Sequence, residues 1–226
     1  MPQSLAELAD LEAAIGPAAP RRTVLNVGCG PRSVAVIGAV FPAEEWRELR
    51  LDIDPATKPD IVASMTDMPA VPDGSMDAVW SSHNLEHLAP HEVPRALGEF
   101  LRVLRPGGHL LLTVPDIQAV ARLVAEDRVD EPLYQSGAGP IYPLDLLYGF
   151  GPALAAGHRF MAHRTGFTPR MLVRLMEDAG FAPTVIWRMG EAYELRVRAY
   201  RPPAPADALE GIIQASPAAQ AADTTA

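Results

Sequence analysis

Val24-Leu25-Asn26-Val27-Gly28-Cys29-Gly30-Pro31 decides the architecture: a short β-prone run passes directly into a turn that carries two glycines. Such a turn lets the backbone after a strand approach a ligand closely, because glycine has no Cβ and tolerates positive φ. Working outward, the next apolar run, from Glu48, ends in Leu51-Asp52-Ile53-Asp54-Pro55, with Asp52 standing 22 residues beyond Gly30. An acid at the tip of a second strand, near this offset, is placed to accept both hydroxyls of an adenosine ribose. Taken singly, a Gly-x-Gly is a tight turn and Asp52 a surface carboxylate, so the remainder of the chain has to discriminate.

Further strands are expected at Asp60 to Ala63, Asp77 to Ser81 and His109 to Val114, short runs without long alternation, as suits strands buried on both faces. Helical stripes lie between and after them. Leu97, Phe100, Leu101 and Leu104 form one, stopped by Arg105-Pro106-Gly107-Gly108; Ile117, Val120, Ala121 and Val124 form another; Leu172, Leu175, Met176 and Ala179 form a third, opened by Thr168-Pro169 and closed by Gly180. Alternating strand and helix imply right-handed βαβ units in a doubly wound sheet, with the ligand beyond the C-terminal strand ends. After Gly180 the pattern changes: Pro183 to Arg188 and Tyr193 to Arg198 are joined by a link too short for anything but an antiparallel pair. Leu5, Leu8, Leu11 and Ile15 predict an amphipathic helix within residues 1–20, ahead of a domain over 21–201. Residues 202–226, rich in Pro, Ala and Thr, predict a disordered tail with a weak apolar patch near Ile212.

The 226 residues are 48% hydrophobic and 21% charged, enough apolar material for a sizeable core. Nineteen Lys and Arg against 28 Asp and Glu give a net charge of -9, which opposes nucleic-acid or anionic-membrane binding. A single cysteine, Cys29, excludes an internal disulfide framework and a cysteine-based zinc cluster. No secretory leader is recognisable near the start, where Glu7, Asp10 and Glu12 stand, and no apolar run reaches the roughly 20 residues a bilayer requires. A cytoplasmic protein is expected.

Four segments, in this order and spacing, resemble the class I S-adenosylmethionine-dependent methyltransferases, in the type 11 branch. They are Val24 to Gly30, Leu51 to Pro55, Asp77-Ala78-Val79-Trp80-Ser81-Ser82-His83-Asn84-Leu85-Glu86-His87-Leu88, and Phe100 to Gly108. The resemblance runs from about Val24 to Arg198 and implies a mostly parallel seven-stranded sheet, one strand antiparallel, in the order 3-2-1-4-5-7-6. It implies S-adenosylmethionine as cofactor, with Gly28 and Gly30 toward its methionine part, Asp52 at the ribose, Ser64 and Met65 edging the adenine, Ser82 and His83 flooring the methyl-transfer pocket, and Asn26, Cys29 and Ile53 also among the cofactor-binding residues. The chain departs from the pattern twice. Asn26 stands where the family usually has an acid, and Pro31-Arg32-Ser33 where it has a third glycine; an amide accepts hydrogen bonds but supplies no counter-charge. The function implied is methyl transfer to a small-molecule acceptor. A non-catalytic cofactor-binding module remains an alternative, as does, more distantly, a nicotinamide-dependent oxidoreductase.

Two further constellations carry chemistry-bearing residues. His83-Asn84-Leu85-Glu86-His87 matches the H-x-x-E-H pattern of zinc peptidases, but Pro90 follows within a turn and the segment coincides with the family's Leu-Glu-His-Leu motif. No metal is therefore expected, and Glu86 and His87 are read as a buried polar pair. The second is the long connection 128–166, which holds Tyr134, Tyr142 and Tyr148 with Asp145, His158, Arg159 and His163 among Gly and Pro. An irregular connection at this edge of an α/β sheet reads as a lid or acceptor-binding loop. Tyr142, Asp145, His158 and His163 are the candidate catalytic residues, with the histidines favoured as base.

Overall fold

The computed structural model describes residues 22–31 and 37–208. The amphipathic helix expected within 1–20, Arg32 and Ser33, and the tail patch at Ile212 lie outside these residues.

The sheet is built from β1 (Arg22–Val27), β2 (Trp46–Asp52), β3 (Ile61–Val62), β4 (Met76–Ser82), β5 (Leu104–Pro115), β8 (Thr184–Met189) and β9 (Glu194–Tyr200). A separate hairpin pairs β6 (Tyr134–Ser136) with β7 (Gly139–Ile141). The seven-stranded order is β3-β2-β1-β4-β5-β9-β8, the order implied by the resemblance once the hairpin strands are set aside. β1 pairs in parallel with β2 and β4, and β4 with β5, while β9 runs antiparallel to both β5 and β8. This is a doubly wound, Rossmann-like α/β sheet with one reversed strand.

Alternation along β1 shows why these strands are apolar throughout. Leu25 and Val27 enter the main core, whereas Val24 packs on the opposite face with Phe41, Trp46 and Ala78. The main core is closed by helices α1 (Val93–Val103) and α5 (Pro169–Ala179), which bury Leu97 and Phe100, and Leu172 and Met176. Thr168 caps α5, its hydroxyl accepting from the Met171 N–H, and Gly180 ends it in the left-handed region at φ 96°. Helix α2 (Ile117–Ala125) starts at Asp116, whose carboxylate accepts from the N–H groups of Gln118 and Ala119. Such a cap satisfies donors that have no partner inside the helix.

Two local expectations are corrected. Arg105-Pro106-Gly107-Gly108 does not separate helix from strand: β5 begins at Leu104 and carries these residues as a bulge, the register passing from Met76 opposite Leu104 to Ala78 opposite His109. A Cβ on Gly108 would lie 2.9 Å from the Asp77 carbonyl oxygen, so the bulge needs glycine there. Nor is 128–166 irregular. Besides the hairpin it contains α3 (Pro143–Tyr148), α4 (Gly151–Ala155) and a 3₁₀ turn at Arg159–Met161. Beyond β9, the chain packs back onto the body as far as Ala208, which is buried with Tyr200. Among the described residues no helix is long and apolar enough to cross a membrane.

Candidate active site

The C-terminal ends of β1, β2 and β4 open into a cavity of about 700 Å³, within the range of small-molecule sites. Its floor is fixed by Asn84. The side-chain amide of this residue donates to the carbonyl of Val27 at 3.0 Å and to that of Ser82 at 2.8 Å, clasping the tips of two neighbouring strands. Gly28 lies directly beneath it, at φ 68°, where a Cβ would come within 2.0 Å of Asn84 Oδ1. The sequence offered no signal for this role beyond the position of Asn84 inside the third of the four segments.

Asp52 is buried at the tip of β2, yet its side chain lines the cavity. Its Oδ2 accepts from Gly30 N–H and its Oδ1 from Asp54 N–H, both at 2.9 Å, so one carboxylate holds the glycine turn against the end of β2. Carboxylate oxygens have further lone pairs, which leaves acceptor capacity toward the cavity. Ile53, 48% exposed, presents an apolar surface at the rim, and Met65 and Ser64 line the same side. The Ser64 hydroxyl is 2.8 Å from that of Thr66. Ser82 and His83 lie at the base, as expected from the sequence.

Asn26 and Cys29 are placed differently. Neither lines the cavity; Asn26 donates its amide to Glu48 Oε1 at 2.7 Å. Glu48 is 4.0 Å from Nε of buried Arg50, and Arg50 donates to the carbonyls of Gly30 and, at 2.9 Å, Lys58. The turn after β1 is thus held by a carboxylate and a guanidinium from β2, which reinstates a charge beside the amide at position 26. Burial pushes the Cys29 thiol up to about 11, although Arg50 pulls the other way, which disfavours the thiolate.

The candidate catalytic residues divide. His158 lines the cavity, together with Arg159, Phe160 and Met161. Among the described residues its ring makes no hydrogen bond. Tyr142 and Asp145 do not line the cavity. The Asp145 carboxylate is committed to two backbone donors, Tyr142 N–H at 2.9 Å and Gly151 N–H at 2.8 Å, which hold α3 to α4. His163 is also withdrawn from the cavity lining, its Nδ1 being 2.9 Å from the Leu146 carbonyl.

His83 adopts φ 54°, and its ring lies 3.2 Å from Glu194 Oε2 and 3.5 Å from Glu86 Oε1. Burial opposes its charge, but the two carboxylates outweigh burial and raise the imidazole to about 9. The two carboxylates thus favour the imidazolium, which makes His83 a poor base toward an acceptor. Leu85–His87 is a 3₁₀ turn and not the helix that an i, i+4 metal pair would need.

Sheet order, glycine turn and strand-tip acid together define a class I methyltransferase domain. Residues 25–112 match the family described as a methyltransferase domain, type 11. Of curated relatives, an uncharacterized 37.1 kDa protein in transposon TN4556 of Streptomyces fradiae is 30% identical over 183 residues, 75% of this chain and 46% of that one. A probable methyltransferase of Aspergillus luteorubrus is 34% identical over 108 residues, 38% of each chain. The chain spans less than half the length of these relatives. A SAM-dependent methyltransferase structure from Thermotoga maritima shares the fold, with TM-score 0.51, 15% identity, and coverage of 87% of this chain and 88% of that one. The chain carries a class I S-adenosylmethionine-dependent methyltransferase domain of the type 11 branch.

Proposed function

We propose that the chain transfers the methyl group of S-adenosylmethionine to a small-molecule acceptor bound in the same cavity. The observation that carries this reading is the composition of the cavity lining, which comes from two parts of the chain. The glycine turn, Asp52, Ile53 and Met65 come from the strand ends, whereas His158, Arg159, Phe160, Met161 and Arg164 come from the 128–166 segment. The first group suits the cofactor, because it combines an acid with spare lone pairs, an exposed aliphatic surface and a Cβ-free turn.

When bound, the sulfonium supplies an already activated methyl group. The protein's share is placement and exclusion of water. Asp52 would hold the ribose hydroxyls, Ile53, Met65 and Ser64 would take the adenine, and the Gly28 to Gly30 backbone would admit the methionine end. Ser82 and His83 form the base beneath the methyl group. His158 is the one histidine of the candidate set that lines the cavity, so it takes the position of acceptor-side base or hydrogen-bond partner. Tyr142, Asp145 and His163 hold the segment that carries it.

Incubation of the protein with methyl-labelled S-adenosylmethionine and fractionated small metabolites, followed by mass spectrometry, tests the reading. A product heavier by one methyl is expected. With that acceptor in hand, His158→Ala is expected to abolish turnover while leaving S-adenosylhomocysteine affinity and Tm nearly unchanged. Labelled protein or nucleic acid in place of a small product would refute the acceptor class.

A further inference from the structure

Beneath the cavity floor, a carboxylate and two imidazoles converge from elements far apart in sequence. Glu86 is 1% exposed, and neither of its carboxylate oxygens has a hydrogen-bond partner. A buried carboxylate needs compensation, and the charge beside it is the His83 ring, 3.5 Å from Oε1, which leaves Glu86 without a hydrogen bond. His163 Nε2 is 4.0 Å from Glu86 Oε1. Because Nδ1 of the same ring faces the Leu146 carbonyl at 2.9 Å, that nitrogen carries the proton and Nε2 presents its lone pair toward Glu86.

His87 completes the group. Its ring centroid is 5.0 Å from that of His163. Its Nδ1 is 3.2 Å from the Ala162 carbonyl oxygen and its Nε2 is 3.1 Å from that of His83. One ligand atom from each of Glu86, His87 and His163 falls within 4.8 Å of the others. His83 is the competing partner for Glu86, but it lies nearer Glu194, at 3.2 Å against 3.5 Å.

We propose that Glu86, His87 and His163 form a binding site for a divalent transition-metal ion of the zinc type. Two imidazoles and one carboxylate are the donor set that zinc and cobalt accept, and they disfavour magnesium and calcium, which take oxygen. Bond lengths of about 2.0–2.2 Å would draw the three donor atoms together by roughly an ångström. The surrounding bonds already match: a ligating histidine typically donates its second nitrogen to a carbonyl, as His163 does to Leu146. The site departs from the peptidase reading of the sequence, since its third ligand is His163 and not His83, and it replaces the expectation of no metal. Of the three, His87 alone lines the cavity among the described residues. The ion would lock the 3₁₀ turn 85–87 to the segment 143–165, where Glu86 O already accepts from Arg164 N–H and Thr165 N–H.

Untagged full-length protein, stripped with chelator, is titrated calorimetrically with Zn²⁺ and spectroscopically with Co²⁺. One equivalent of each is expected to bind, with a visible d–d band for Co²⁺ and a Tm raised by roughly 5–10 °C at hundredfold excess over Kd. Glu86→Gln and His163→Ala should each weaken binding by roughly 100-fold or more, whereas His91→Ala, at an exposed site, should bind as wild type. Glu86→Gln preserves shape, so it answers the question if His163→Ala fails to fold. Absence of stoichiometric Zn²⁺ and Co²⁺ binding, or equal affinity in wild type and Glu86→Gln, overturns the site. These readouts are independent of methyl transfer.

Discussion

Gly28→Ala perturbs the cavity floor through a contact that can be worked out atom by atom. An alanine at φ 68° sits in the left-handed region, at a cost of about 1–2 kcal/mol. Its Cβ would also stand 2.0 Å from Asn84 Oδ1 and 2.2 Å from Cγ, so the Asn84 side chain must leave. With it go the two bonds to the carbonyls of Val27 and Ser82, each contributing about 0.5–1.5 kcal/mol. The single substitution should therefore destabilise by roughly 2–5 kcal/mol, a large share of a typical 5–15 kcal/mol. Asn84→Ala loses the same two bonds but incurs no strain, and in that background Gly28→Ala should cost only the strain, about 1–2 kcal/mol. Urea denaturation of wild type, both single mutants and the double mutant gives the coupling directly, expected at roughly 1–3 kcal/mol. Equal cost of Gly28→Ala in the two backgrounds would refute the reasoning, because the clash with Asn84 would then contribute nothing.

Three other expectations follow from the same geometry. Asp52→Ala should weaken S-adenosylhomocysteine binding by about 1.5–3 kcal/mol, roughly tenfold or more by calorimetry; Asp52→Asn, which retains one acceptor oxygen, should lose less, and unchanged affinity in both would remove Asp52 from the ribose site. His109 packs near Phe41, Trp46 and Tyr200, and burial, helped by Arg198 and Arg22, lowers its imidazole to about 4. Its unfolded value is higher, near 6.5, so the unfolded chain binds the extra proton and stability falls as pH drops from 6.5 toward 4, by about 3 kcal/mol in full; His109→Phe should flatten that part of a Tm-against-pH curve. Arg102 donates to the carbonyls of Val71 and Met68 and pairs with Glu99 and Asp73, joining the 68–73 loop to α1. Arg102→Met should destabilise by roughly 2–3 kcal/mol in thermal melts, with the partial exposure of the site holding the value down.

The elements and their order were legible because they depend on local signals. Apolar runs ending in glycine, the Thr168-Pro169 start and Gly180 stop of α5, and the four-residue link before β9 each act within a few residues, and the chain has no competing choice at those points. The same holds for Asp52, whose place at the tip of β2 follows from strand length alone. The exception is Arg105 to Gly108, where Pro and Gly signal a turn but pairing with β4 carries the backbone on as a bulged strand.

What only the tertiary structure decided is which side chains meet. Asn26 finds Glu48 because parallel pairing sets β1 beside β2, and Asn84 grips Val27 because β4 lies next to β1. Tyr142, Asp145, His158 and His163 looked equivalent as polar residues in one loop-rich stretch, yet folding of that stretch into hairpin and short helices turned His158 to the cavity and spent Asp145 on backbone donors. His163 reaches Glu86 across 77 positions of chain, a juxtaposition with no local signature. Periodicity and turn chemistry are short-ranged and sit in the sequence, whereas the partner of a buried polar group is fixed by packing between distant segments, which the folded sheet alone supplies.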